Sequence, residues 1–328
     1  YAFAVFLCFI TMLCWGSWAN TQKLSPNKWP FTLFYWDYSI GVLLFSLFIG
    51  ISVGSFGENG RPLFEDLVQA RLGSYAYAFL GGVIFNLANL IIVAAISIAG
   101  MSVAFPIGIG TALILGVLVN FISTPIGNPY YLFLGVFFIV LAILIDAIAF
   151  KFHLGGKTNS SNTGIVISLA GGILMGLFYR FVALSMSSNF KNPENGLFTP
   201  YSALLIFSSG IFISNFIWNT YFMYKPLQGD KVTFKNYILN STLKTHLIGI
   251  LGGIIWCIGM SLSLISSEKA GYPISYGLGQ GATMVAAAWG VFVWKEFRGA
   301  TYKTNILISL MFLMFVSGLI LIIISRYS

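Results

Sequence analysis

Charge is the scarcest thing in this sequence. Of 328 residues only 8% are Asp, Glu, Lys or Arg, where a water-soluble domain carries about 25%. So thin a supply cannot coat a soluble body of this length. That excludes a soluble enzyme, a disordered chain and a nucleic-acid-binding domain. Cysteine is sparse too. Cys8, Cys14 and Cys257 all lie inside apolar runs, with neither metal-ligand spacing nor a disulfide framework. Histidine is limited to His153 and His246, both at or near the ends of apolar runs. No H-E-x-x-H, Ser/His pairing or carboxylate pair points to a membrane-embedded enzyme. The run GLGQG at 277–281 is apolar in context and lacks the Lys-Ser/Thr ending of a phosphate loop. No cofactor and no catalytic residue is expected, and the chain is read as a non-enzyme.

What fills the sequence is apolar surface: 58% of residues are hydrophobic and 17% aromatic, with a mean hydropathy of +0.88. About 20 apolar residues cross roughly 30 Å of hydrocarbon as a helix, and only helices or closed barrels satisfy the backbone there. Ten such runs can be drawn, at about 1–20, 31–54, 75–98, 101–122, 130–150, 164–188, 198–223, 245–266, 271–294 and 303–325. The alternation of an outer-membrane barrel is missing. The chain is therefore expected to be an all-α polytopic membrane protein. Its first run has neither a basic start nor a small-residue cleavage site, so it reads as a span rather than a signal peptide.

Lys and Arg set the expected orientation. The ends reached after the odd-numbered runs carry Lys23, Lys28, Lys151, Lys157, Lys225, Lys231, Lys235, Lys244, Lys295, Arg298 and Lys303. The opposite ends carry Arg61, Arg71, Lys191, Lys269 and Arg326. The richer side is read as cytoplasmic, which puts both termini outside. Two longer amphipathic loops, 60–73 and 229–244, are read either as short interfacial helices or as solvated connectors.

An internal repeat is visible. LGGVIFNLAN at 80–89 resembles LGGIIWCIGM at 251–260, an offset of 171 that also lays Ala99-Gly100 on Ala270-Gly271. Phe31-Thr32 matches Phe198-Thr199 at an offset of 167. Runs 1–5 thus read as duplicated in runs 6–10. Since five is odd, the second copy enters from the other face, which gives a 5+5 inverted repeat of ten transmembrane helices. The expected units are 1–150 and 164–328, joined by a short connector at 151–163. Such repeats enclose a midplane site and support alternating access.

Charges inside spans mark function by default. Asp37, in FYWDYSIG, lies about 10 Å inside its run and Arg180 about 12 Å inside its own, at 1.5 Å per residue. Asp146 lies close enough to Lys151 to reach or pair there. In a low-dielectric site the charged form of a carboxylate is disfavoured, so Asp37 is the candidate proton-coupling residue; the alternative is a buried packing carboxylate. Arg180 suits an anionic or carbonyl group, or else the headgroups. Gly82, Asn86 and Asn89 share one helix face, while their repeat partners Gly253, Cys257 and Met260 do not preserve the polarity. Asn86 and Asn89 are read as binding an uncharged polar solute, or as interhelical ties. Gln280, whose partner is Ile109, passes the same test. Trp15, Trp18, Trp256 and Tyr276 are placed toward a cavity where a ring stacks, with core or interface packing as the alternative. Gly172/Gly176, Gly249/Gly253 and Gly277/Gly281 have the spacing for close helix approach, and Pro106 is expected to loosen its helix.

Ten spans with short loops resemble the drug/metabolite transporter superfamily. WGSWANTQKL (15–24), FYWDYSIG (34–41), GGVIFNLANL (81–90) and AGMSVAFPIGIG (99–110) look like its glucose/rhamnose-type and ureide-permease-type branches, and EKAGYPISYGLGQG (268–281) extends the likeness. The resemblance implies proton-coupled uptake of a small polar solute: a sugar, or an allantoin- or nucleobase-like ring. It maps the branch's Asp-Tyr pair onto Asp37 and Tyr38. The chain lacks the long central loop of plant members, which points to a bacterial relative in a cell inner membrane. The implied partners are the solute, a proton as coupling ion and the lipid bilayer, with a homodimer left open and nucleic acid excluded. A metabolite or drug exporter of the same superfamily is the alternative.

Overall fold

The computed structural model describes residues 1–25, 29–56, 60–153, 162–227 and 229–327. Its elements in chain order are α1 (Ala2–Ser17), α2 (Asn20–Leu24), α3 (Phe31–Ile51), α4 (Leu63–Gln69), α5 (Leu72–Ala99), α6 (Met101–Ser123) and α7 (Pro129–His153). They continue with α8 (Asn162–Ser185), α9 (Pro200–Tyr224), α10 (Phe234–Leu239), α11 (Leu243–Ala270), α12 (Tyr272–Gly279), α13 (Ala282–Ala288), a π-turn at Trp289–Val293 and α14 (Tyr302–Ile324). Among the described residues there is no β-strand, only an isolated bridge between Met186 and Phe198. Both amphipathic loops do contain short helices, α4 and α10.

Eight of these helices, rather than ten, are long and apolar enough to cross a bilayer. The two shortfalls have local causes. The first run stops at Ser17 and turns before the five-residue α2. The run at 271–294 is not one helix. Gly279, Gln280 and Gly281 interrupt it, with Gly281 N–H turning back to Leu278 O and Met284 N–H to Gly281 O. Glycine costs about 1 kcal/mol in a helix interior, and two of them flank Gln280. Pro106, by contrast, sits within α6 without ending it. The connector expected at 151–163 is taken up partly by α7 and α8. Residues 154–161, and with them Lys157, lie outside the described residues, as does Lys28.

Large apolar side chains such as Phe48, Ile122, Phe137, Phe216 and Leu313 are exposed on the outer helix faces, the arrangement that lipid demands and water forbids. Inside, helices meet through glycine. A Cβ on Gly253 of α11 would strike the carbonyl oxygen of Tyr38 in α3, and one on Gly41 of α3 would strike that of Ile250. The α5–α9 crossing is built alike: Gly82 lies on the carbonyl of Phe207, and Gly210 on that of Phe79. In α7 and α14, Gly135 and Gly318 each face the other's carbonyl, with 2.7 Å from a built Cβ to the oxygen both ways. Gly172 of α8 abuts the carbonyl of Gly108 in the same manner, and Gly249 abuts Asp37. Small residues let backbones approach where side chains would hold them apart.

The correspondences run further. Helices α5 and α11 are each 28 residues long and end at Gly100 and Gly271, which have φ of 78° and 85°. Helices α4 and α10 each precede one of them.

Candidate functional site

Aromatic rings converge where α1, α3, α5, α9 and α11 meet. Trp256 is at the hub, with centroids 4.5 Å from Phe85, 6.0 Å from Trp15, 6.1 Å from Phe207 and 6.2 Å from Tyr38. Trp15 and Trp256 lie 12° from parallel. Trp18 tilts onto Tyr38 at 4.6 Å, and Tyr38 stacks on Tyr35 at 5.0 Å. Glycine makes the seat for Trp15: a Cβ at Gly259 or Gly279 would collide with its indole. The indole N–H of Trp15 and the hydroxyl of Tyr38 are buried without a hydrogen-bond partner. Buried polar groups are nearly always paired, and these two donors are exceptions.

The sequence-predicted polar residues divide around this cluster. Asn89 Nδ2 donates to Tyr35 Oη at 3.2 Å, which puts it beside the rings. Asn86 Nδ2 donates to Ile211 O and Ser214 Oγ of α9, and only its Oδ1 stays unpartnered. Tyr276 is fully buried, and its hydroxyl donates to the carbonyls of Ala112 and Met175. Gln280 occupies the break between α12 and α13, half-buried, its side chain making no hydrogen bond among the described residues. Arg180 is half-buried on α8, away from Asp37, and makes no ion pair among the described residues. Asp146 does not pair with Lys151. It lines a cavity of about 240 Å³ with Phe105, Trp294, Lys23 and Glu296, because its side chain projects from α7 toward α2 and the π-turn. There Lys23 Nζ meets Glu296 at 2.7 Å and lies over the Trp294 ring.

Asp37 is the better-built centre. It is 1% exposed, and its Oδ1 accepts from the Tyr237 hydroxyl at 2.5 Å and lies 2.8 Å from His246 Nδ1. Its Oδ2 is buried and unpartnered. Tyr35 and Tyr38, its sequence neighbours, point elsewhere. Two capping boxes fix the partners. Thr233 and Asn236 start α10, placing Tyr237 in its first turn; Thr242 and Thr245 start α11, placing His246 in its first turn. Gly249, one turn on, lets α11 close on Asp37. Burial, then the adjacent carboxylate, pushes the Tyr237 phenol well above the ordinary tyrosine range, so it stays a donor. His246 Nε2 reaches Ser241 Oγ at 2.7 Å.

By sequence alone His246 reads as a span-end residue, and nothing singles out Tyr237. The available signal was the spacing His246, Gly249, Gly253, which puts the imidazole on the glycine face that meets α3. Among the described residues no cluster of His, Cys, Asp and Glu could hold a metal ion.

At the other end of the bundle, α4 clasps the 190–199 segment. Asp66 accepts from Thr199 N at 2.7 Å and from Arg61 Nε at 2.9 Å, and Gly196 N–H donates to Gln69. A second cavity, of about 200 Å³, opens there between Arg61, Lys191, Tyr201 and Glu268.

The ureide permease family model matches this chain over residues 34–158 and 154–325. Ureide permease 1 of Arabidopsis thaliana is 23% identical over 95% of this chain and 94% of its own length. Ureide permease 2 of the same plant is 24% identical over 96% and 95%. A protein known from a crystal structure superposes with a TM-score of 0.63 at 13% identity, over 100% of this chain and 99% of that one, which shows a shared fold. The chain belongs to the ureide permease family: a multi-pass membrane transporter, not an enzyme.

Proposed function

We propose that this chain is a secondary transporter that takes up a small planar polar solute of ureide or nucleobase type together with a proton, by alternating access. The observation that carries the proton part is Asp37, a fully buried carboxylate with one oxygen gripped from two other helices and the other unpartnered. Such a group is costly as an anion in low dielectric and gains by loading a proton. The aromatic cluster supplies the solute part. Trp15, Trp18 and Trp256 offer ring faces, worth about 0.5–1.5 kcal/mol per aromatic pair beyond burial. The Trp15 N–H and Tyr38 O–H suit carbonyl oxygens, Asn89 and Gln280 suit either polarity, and Asn86 keeps its Oδ1 for a donor. Tyr276, tied to two carbonyls, braces the wall, and Arg180 serves the rim away from Asp37.

For the architecture, we read residues 1–150 and 164–328 as a five-helix unit inserted twice in opposite senses, as in the drug/metabolite transporter superfamily. α1 with α2, and α12 with α13 and the π-turn, act as the two irregular members. Three features support this: the twinned glycine crossings, the 28-residue helices ending at Gly100 and Gly271, and the covering helices α4 and α10. Halves so related exchange roles around a central site. The lysine and arginine distribution favours both termini outside, which makes the α10 side cytoplasmic.

Reconstituted proteoliposomes test the reading. Under an inward proton gradient, accumulation of labelled allantoin or uracil is expected above the level without a gradient, with glucose and rhamnose not competing. Uptake that ignores the gradient sinks the proton part, and competition by the sugars but not the rings sinks the solute class.

A further inference from the structure

We propose that His246 is the proton relay between water and Asp37, and that Tyr237 on α10 is the positioning residue that holds the carboxylate to it. This rests on the reading of Asp37 as the proton carrier. A continuous chain leads from partly exposed groups to a buried one. Ser241, just before α11, and His246, with a side chain 26% exposed, are both partly exposed, and Asp37 is 1% exposed. The links are Ser241 Oγ to His246 Nε2 at 2.7 Å and His246 Nδ1 to Asp37 Oδ1 at 2.8 Å. Both imidazole nitrogens are therefore engaged, one toward the surface and one toward the carboxylate. That is the arrangement by which a ring passes a proton through itself.

With Asp37 ionised, Nδ1–H donates to Oδ1 and Nε2 accepts from the Ser241 hydroxyl, which takes the imidazole at 2.7 Å over its other acceptor, Ile238 O, at 3.3 Å. A proton delivered from water through Ser241 forms an N–H bond at Nε2. The Nδ1–H bond then breaks, and an O–H bond forms on Asp37. One proton enters and one is delivered, and the ring is left neutral in its other tautomer. Discharge runs the same steps backward.

The titratable groups that meet His246 are Asp37 from α3 and Tyr237 from α10; Trp29 presents only an aromatic ring, 6.4 Å away. Lys244 on its own helix and Lys235 on α10 are exposed, and Lys23 on α2 is engaged with Glu296. Tyr237 is a poor relay because burial and the carboxylate hold its proton on the phenol. It pins Oδ1 against the imidazole instead.

The other half of the molecule has the same scaffold without this chemistry. The residue 171 before His246 is Tyr75, whose hydroxyl donates to Leu67 O. The residue 171 before Tyr237 is Asp66, committed to Thr199 and Arg61. The residue of α9 that corresponds to Asp37, at the 169 offset relating Gly41 to Gly210, is Ile206. The relay therefore serves one face, the one where α10 and the start of α11 lie.

A time-resolved infrared measurement on the lipid-reconstituted chain tests this without any solute. After an acid pH jump, the protonated-carboxyl band that Asp37→Asn removes is followed in wild type, His246→Gln and His246→Ala. The expected result is a rise at least about tenfold slower in both His246 variants, reaching the wild-type amplitude. Added imidazole should restore the rate in His246→Ala, and Tyr237→Phe, which removes a donor to the carboxyl, should shift the frequency of the band more than its rate. A rise within twofold of wild type in both His246 variants overturns the relay and leaves the carrier standing. Loss of the band in His246→Ala that imidazole does not restore marks a structural role and also overturns it. If Asp37→Asn removes no band, the carrier reading fails, and the relay with it.

Discussion

Replacing Asp37 by Asn separates coupling from folding. The carboxamide oxygen can still accept from Tyr237 and from His246 Nδ1–H, so both ties to α10 and α11 survive in neutral form. Charged hydrogen bonds are worth about 1.5–3 kcal/mol and neutral ones about 0.5–1.5, so two such exchanges cost about 2–3 kcal/mol. Removing an uncompensated buried charge offsets part of that. The new amide N–H₂ takes the place of the unpartnered Oδ2, beside Gly249, where a built Cβ would stand 3.2 Å from that oxygen. The variant should therefore fold, melting a few degrees lower. Transport should change far more. With one proton per solute, a gradient of one pH unit supplies 1.36 kcal/mol, a tenfold accumulation ratio at equilibrium. In Asp37→Asn the ratio should fall to one, while exchange of labelled for unlabelled solute across the same membrane continues. The assay is accumulation and counterflow in matched proteoliposomes. A tenfold ratio retained by the variant would refute the reasoning, whatever the melting temperature did.

Gly253→Ala should destabilise by about 1–3 kcal/mol, since the methyl meets the Tyr38 carbonyl on a rigid helix; thermal unfolding in detergent reads this, and Gly82→Ala should match it. Gly100→Ala should cost a comparable amount for a different reason: nothing crowds the position, but a φ of 78° with ψ of 158° suits glycine alone. Tyr237→Phe removes a hydrogen bond to a charged group, so amide exchange across α10 should quicken roughly ten- to hundredfold, measured by mass spectrometry of the 229–244 peptide. Lys23→Gln should shift stability by no more than about 1 kcal/mol, because both partners of the Lys23–Glu296 pair are exposed enough for solvent to screen them.

The membrane class was plain from charge scarcity alone, because no soluble surface can be built from so few ionised residues. Asp37 was legible for the same reason: in an apolar run a carboxylate stands out. The glycines at 249 and 253 were readable as contact faces, since their spacing is local. What stayed hidden depends on packing between distant segments. Tyr237 lies 200 residues from Asp37 and His246 lies 209 away, and only the crossing of α3 with α11 joins them. The run at 271–294 looked continuous because hydropathy averages over Gly279, Gln280 and Gly281. Hydrogen bonding there, not apolarity, decides where the helix breaks. Asn86 and Asn89 looked equivalent on one face, yet a neighbouring helix claims the first amide and a tyrosine the second.

A glycine resting on a peptide carbonyl has no side chain of its own to fix the helices in register at that point. Helices meeting so, as α3 does with α11 and α5 with α9, are held in register by the side chains beside the glycines: Asp37 on His246 in the first, Asn86 on Ser214 in the second. Two short helices add their grip outside the crossings, α4 on the 190–199 segment and α10 on Asp37. One buried carboxylate thereby ties three helices at once.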